Sequence, residues 1–228
     1  GSGMIHPNMA TMLCFLTTDV CIDSEWLQKA LKLVADKTFN MISIDGDTST
    51  NDMCAIMASG LAGNDEIHGE GPDYEMFVNA LYALLMNLSR DLARDGEGAT
   101  KLLECAVDGA PDETTAKKVA KSVITSSLFK AAMFGADANW GRILCAIGYT
   151  DAEFHVDEIE VLLSSRKGTI KVCEHGAGVW VDEVRAKEIL LEDEIKIIIH
   201  LNDGDASAIA WGCDLTYDYV KINGDYRT

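Results

Sequence analysis

The run Met12-Leu13-Cys14-Phe15-Leu16-Thr17-Thr18, followed at Asp23-Ser24 by Trp26, Leu27, Ala30, Leu31, Leu33 and Val34, decides the fold. The first part is short, mostly apolar and closed by Asp19, which predicts a strand buried on both faces. The second repeats apolar residues at helical spacing behind an Asp-Ser pair suited to capping, which predicts an amphipathic helix over 24–37. A strand feeding a helix is the elementary α/β unit.

Outward from there the same alternation continues. Met41 to Ile44 is a second short apolar run that empties into Asp45-Gly46-Asp47-Thr48-Ser49-Thr50-Asn51-Asp52, a loop by composition. Residues 64–73 are rich in glycine, acid and proline and introduce a long helical pattern from Tyr74 to about Arg94, ended by Asp95-Gly96-Glu97-Gly98. Thr100 to Val107 reads as a strand, Asp112-Glu113 open another helix, and Asn139 to Tyr149 is helical. Strands follow near 158–163 and 169–173, a helix near 182–191, strands near 194–201 and 206–211, and a short helix near 214–221. Strands and helices interleave without a Pro/Ser-rich linker or an internal repeat, so the class is α/β. Periodicity leaves strand order and direction open.

The composition is that of a globular chain: 228 residues, 48% apolar, enough to bury a sizeable core. With 37 acidic against 19 basic residues the net charge is -18, which disfavours nucleic acid and anionic membrane surfaces as partners. No stretch approaches the roughly 20 apolar residues of a membrane span. The seven cysteines show no CxxC and no Cys/His pair at metal-ligand spacing. An odd, unpatterned set among apolar neighbours, as in Leu144-Cys145-Ala146, reads as buried free thiols in a reducing compartment, and a cytoplasmic location is expected.

Four segments carry the chemistry: GSGMIHPNMATMLCFLTTD at 1–19, FNMISIDGDTSTND at 39–52, FGADANWGRILCAIGY at 134–149 and GDASAIAWGCDLTYDYVKINGDYRT at 204–228. Together, and in this order, they resemble the glutamate N-acetyltransferase (ornithine acetyltransferase) family. The resemblance implies a layered α/β sandwich of the self-cleaving ornithine acetyltransferase or aminopeptidase type. It also implies a precursor that cuts itself at an Ala-Thr bond, here Ala10-Thr11 within Pro7-Asn8-Met9-Ala10-Thr11-Met12-Leu13. Residues 1–10 would then be the tail of an N-terminal (alpha) fragment and 11–228 the beta-chain catalytic domain. After the cut Thr11 would carry both a nucleophilic hydroxyl and a free α-amine that titrates near about 8, able to serve as its base.

The resemblance assigns substrate contacts to Thr11, Glu97, Asn223 and the final Thr228. A carboxylate at Glu97 would pair with a substrate ammonium, and the amide of Asn223 offers both donor and acceptor. It further implies acetyl transfer from N2-acetylornithine to glutamate through an acetyl-Thr11 intermediate, with acetyl-CoA as a second donor in some members and no cofactor. The expected partners are the N-terminal fragment and a second copy, giving two alpha and two beta chains. The alternative activity is an N-terminal-nucleophile aminopeptidase or amidohydrolase of the same architecture. No residue is assigned to a metal: Asp45, Asp47, Asn51 and Asp52 read as an ordinary hydrogen-bonded loop, and Gly204-Asp205-Ala206-Ser207 as a tight turn.

Overall fold

The structure, a computed structural model, describes residues 3–6, 12–49 and 51–225. Strand β1 (Leu13–Thr18) leads to helix α1 (Ser24–Lys37), whose cap is Asp23: its carboxylate accepts the N–H groups of Glu25 and Trp26. β2 (Ile42–Ser43) and β3 (Met53–Ala58) follow, then the long α2 (Pro72–Arg94). Proline stands at its start, where its missing N–H costs nothing. The buried residues of α2, Leu81, Leu85, Ser89 and Ala93, recur every four positions and form one stripe. Next come β4 (Leu102–Ala110), α3 (Glu113–Thr125), α4 (Ser127–Phe134) and α5 (Trp140–Gly148). β5 (Glu160–Ser165), β6 (Gly168–Glu174), β7 (Ala177–Gly178), α6 (Glu183–Leu190), β8 (Glu194–His200), β9 (Ala206–Cys213) and α7 (Tyr217–Asp225) complete the chain.

Seven strands form a mixed sheet in the order β2-β9-β4-β8-β5-β6-β7. β2 runs parallel to β9 and β4 parallel to β8, while the other neighbours are antiparallel. Successive side chains of a strand point to opposite faces. On β9, Trp211 pairs with Glu104 of β4 and donates its ring N–H to that carboxylate, which also binds Arg90 of α2. The next residue, Gly212, lies against Ile124 of α3, where a Cβ would come within 2.5 Å of its methyl. So α1 and α2 cover one face and α3 covers the other, which makes the α/β class a layered one. The core between the layers is built from residues such as Phe39, Leu85, Leu103, Ile124, Phe129 and Trp211.

Two expectations are corrected. β1 pairs in parallel with β3 as a separate two-stranded sheet, and only one of its faces is buried. Met12 and Leu16 enter the core, but Leu13 (64% exposed), Phe15 (61%), Met53 and Met57 (57%) form a bare apolar face opposite. Cys145, read as buried from its apolar neighbours, is exposed because α5 turns Ile143, Ala146 and Ile147 inward instead. Of the expected turn over 204–207, Gly204 marks the bend, packed against the carbonyl of Ala110, but Ala206 and Ser207 already belong to β9.

Candidate active site

The site forms where β2, the loop after α2 and helix α7 converge. Gly96 is buried, and a Cβ on it would lie 2.9 Å from the Cys213 sulfur and 3.0 Å from Ile44. Only a residue without a side chain brings the loop this close to the sheet. Gly98 has φ +65° and its Cα faces the Tyr219 backbone nitrogen, so the loop turns sharply and presents Glu97. Asp214, 3% exposed, locks the far side of the turn. Its Oδ1 accepts the N–H groups of Thr100 (2.8 Å) and Lys101 (2.9 Å), and its Oδ2 accepts the Thr100 hydroxyl. These bonds divert residues 100 and 101 from the sheet, so β4 begins at Leu102 rather than at Thr100 as the pattern predicts.

Thr216 joins the loop to α7. Its hydroxyl donates to Gly98 O (2.7 Å) and accepts the Tyr219 N–H (3.2 Å), the geometry of an N-cap. One turn further, Asn223 Nδ2 donates to Glu97 Oε2 at 2.9 Å and to Tyr219 O at 3.0 Å. Glu97 and Asn223, 126 positions apart, are therefore in direct contact. Gly3 closes the group: a Cβ there would stand 2.5 Å from Glu97 Oε2, so the main chain lies directly against the carboxylate.

The segment holding Gly3 is itself anchored. Met4 N donates to Asp45 Oδ2 (2.7 Å), Ile44 N to Ile5 O (2.7 Å), and His6 Nδ1 lies 3.0 Å from Ser43 Oγ. Ile5 is 2% exposed and belongs to the core. Behind β2, the buried Lys130 ammonium donates to Ile44 O, and Lys121 donates to Asn40 O and Ile42 O. Burial without a carboxylate partner lowers the Lys121 pKa to about 8. Burial, assisted by the Lys121 charge, brings His6 down to about 4, so its imidazole is neutral at ordinary pH. Burial followed by the neighbouring Asp45 carboxylate pushes the Tyr219 hydroxyl up to about 12.

Thr11, Ala10 and Thr228 lie outside the described residues. At Met12, the first described residue after Thr11, N donates to Asp52 Oδ1 (2.7 Å) and Met53 N donates to Met12 O (2.8 Å). Burial raises the Asp52 carboxyl above its usual value despite that bond. The loop 45–52 is thus hydrogen-bonded as expected, but two of its acids bind segments far away in sequence. Among the described residues no group of three or more His, Cys, Asp or Glu is arranged to hold a metal.

The model of the ArgJ family matches residues 1–228, the whole chain. The chain belongs to the ArgJ family. It is 53% identical over 228 residues to the arginine biosynthesis bifunctional protein ArgJ 1 of Clostridium acetobutylicum, and 52% identical to the ArgJ protein of Caldanaerobacter subterraneus subsp. tengcongensis. Each alignment covers all of this chain but only 56% and 57% of the relative, so the chain spans little more than half their length. The crystal structure of ArgJ from Bacillus halodurans superposes with a TM-score of 0.90 at 47% identity, covering 95% of this chain and 100% of that one. Membership confirms the resemblance read from the motifs and the layered α/β fold. Gly3, Asp45, Asp214, Thr216 and Tyr219, which build the site around Glu97 and Asn223, were not singled out by sequence. Of these only Asp45 is weighed from sequence, together with Asp47, Asn51 and Asp52, and it reads there as part of an ordinary loop.

Proposed function

We propose that this ArgJ-family chain is the C-terminal part of a glutamate N-acetyltransferase that cuts itself between Ala10 and Thr11, leaving residues 1–10 on the N-terminal fragment and 11–228 as the catalytic beta chain. The observation that carries the reading is the 2.9 Å bond between Glu97 and Asn223, which unites two assigned substrate residues from distant segments beside the stretch leading to the cut. Chain lengths support it. The crystallised Bacillus halodurans chain is matched over its full length, whereas the Clostridium relative is nearly twice as long as the match. That is the pattern of a precursor that ends as two chains.

In the cut, Thr11 Oγ attacks the Ala10 carbonyl, the acyl group passes from nitrogen to oxygen, and water hydrolyses the ester. The Thr11 α-amine is thereby freed. In turnover it takes the hydroxyl proton as Oγ attacks the acetyl carbon of N2-acetylornithine, and ornithine departs as the amine. The acetyl-Thr11 ester is then attacked by the amino group of glutamate, giving N-acetylglutamate and restoring the hydroxyl. Glu97 pairs with a substrate ammonium, Asn223 fixes both Glu97 and the amino-acid head group, and Thr228 completes the contacts. The cycle uses no cofactor; acetyl-CoA is a second acetyl donor to the same nucleophile. Oxyanion donors come from the upstream half, so this chain alone is inactive. The working assembly is two alpha and two beta chains in the cytoplasm. No helix among the described residues is long and apolar enough to cross a membrane.

The test is production of this chain joined to its upstream half, followed by mass spectrometry and assay. Two fragments, the second beginning at Thr11, and acetyl transfer that requires glutamate are expected. One intact chain would refute the nucleophile assignment, and full-rate acetate release without glutamate would favour the amidohydrolase instead.

A further inference from the structure

We propose that Asp45 is a positioning residue that keeps residues 3–6, upstream of the cut, seated beside the edge of β2, so that this part of the N-terminal fragment remains a wall of the Glu97–Asn223 site. This rests on the self-cleaving reading above, because only a cut makes residues 3–6 part of another molecule.

Asp45 stands at the end of β2 and uses both oxygens. Oδ1 accepts the N–H of Asp47 at 3.2 Å, the local bond of an ordinary turn. Oδ2 accepts two donors from distant segments: the Met4 N–H at 2.7 Å, 41 positions upstream, and the Tyr219 hydroxyl at 3.2 Å, 174 positions downstream. One oxygen atom therefore ties the upstream segment to the helix that carries Asn223. A loop acid needed only for its turn would leave Oδ2 to solvent.

The upstream segment is not a strand, since Met4 turns at φ +52°, but it is tied to β2 at three successive residues. Ile44 N–H donates to Ile5 O, His6 contacts Ser43, and Ile5 fills the core beside β2. One main-chain bond, one carboxylate contact and one buried side chain thus hold the segment beside the sheet edge. β2 offers that edge because β9 pairs with its other side only. Breaking the bond after Ala10 removes none of these contacts. The segment stays, and with it Gly3 remains against the Glu97 carboxylate.

The experiment uses the complete precursor as wild type, Asp45→Ala, Asp45→Asn and Tyr219→Phe. Mass spectrometry first reports whether each is cut; an uncut wild type counts against the functional reading and not against this one. The native, cut enzymes are then digested with a carboxypeptidase, and the mass of the N-terminal fragment is followed. In the wild type, trimming is expected to stop at or before His6, and in Asp45→Ala to run through Gly3. The Asp45→Ala KM for N2-acetylornithine should rise at least about tenfold, as expected for loss of a charge-assisted hydrogen bond, with a smaller change in kcat. Asp45→Asn keeps one acceptor oxygen but loses the charge, and should restore both properties only in part. Tyr219→Phe removes only the helix side of the bridge, so KM should rise while trimming still stops at His6. If Asp45→Ala does not fold or cut, the other two variants and the wild-type digest decide. Trimming past Gly3 in the native wild type, or a Tyr219→Phe enzyme with unchanged KM, would overturn the proposal.

Discussion

Replacing Gly98 by alanine should separate Asn223 from Glu97, and the size of the effect follows from the geometry. The residue sits at φ +65°, where a side chain costs about 1–2 kcal/mol. Its new Cβ would stand 2.6 Å from Tyr219 N and 2.8 Å from Asp218 C. Both are backbone atoms in the first turn of α7, so no side-chain rotation relieves the contact. Pushing the helix away adds about 1–3 kcal/mol, the usual cost of overpacking, for a total of about 2–5 kcal/mol. The Thr216–Gly98 bond and then the Asn223–Glu97 bond lengthen with it. Urea denaturation of the cut enzyme measures the first effect, and KM for N2-acetylornithine measures the second. Gly224→Ala is the control: nothing lies within 4 Å of its Cβ, so it should be neutral or stabilise α7 by up to about 1 kcal/mol. If Gly98→Ala changes stability by less than about 0.5 kcal/mol, within the range of an ordinary surface substitution, and leaves KM unchanged, the loop does not depend on this close approach.

Three further outcomes follow from the same site. Ile5→Ala should weaken retention of the N-terminal fragment by about 2–5 kcal/mol, seen as faster fragment dissociation on dilution, because a fully buried side chain is truncated. Lys130→Met leaves Ile44 O without its ammonium donor and should cost about 1–3 kcal/mol in urea unfolding. For His6 the folded pKa is about 4 against an ordinary 6.5, so between these values the detached segment binds more protons than the docked one. Retention should be flat above pH 6.5 and weaken as pH falls toward 4; His6→Asn should remove that dependence in the same dissociation assay.

Most elements were legible because their signals are local. Asp23 and Asp112 cap helices where an acid precedes a helical pattern, and the stripe Leu81, Leu85, Ser89, Ala93 has the period its burial demands. β3, the run Met53 to Ala58, was missed although it is the same kind of short apolar run from which β1 was read. The exposed face of β1 was misread for a related reason: an apolar run shows that burial is wanted, not that the covering surface lies in the same chain. At the site, Glu97 and Asn223 were found through motifs, and their contact was invisible until the chain was folded. Asp45 looked like any acid in a Gly/Thr/Ser loop. Its two decisive partners are 41 and 174 positions away, and no local pattern encodes them.

The bare face of Leu13, Phe15, Met53 and Met57 bears on the order in which the protein is made. Two parallel strands with one open face and two open edges are a fragment of a sheet, not a sheet that stands alone. In a precursor whose upstream half leaves the ribosome first, that half is already present when β1 emerges. Residues 13–58 then follow at about 5–20 per second, so the apolar face is unaccompanied for only a few seconds. Reversing the order of synthesis by splitting the gene would lengthen that interval without limit. Were the proposed upstream half to cover this face, the order of translation would act as its chaperone.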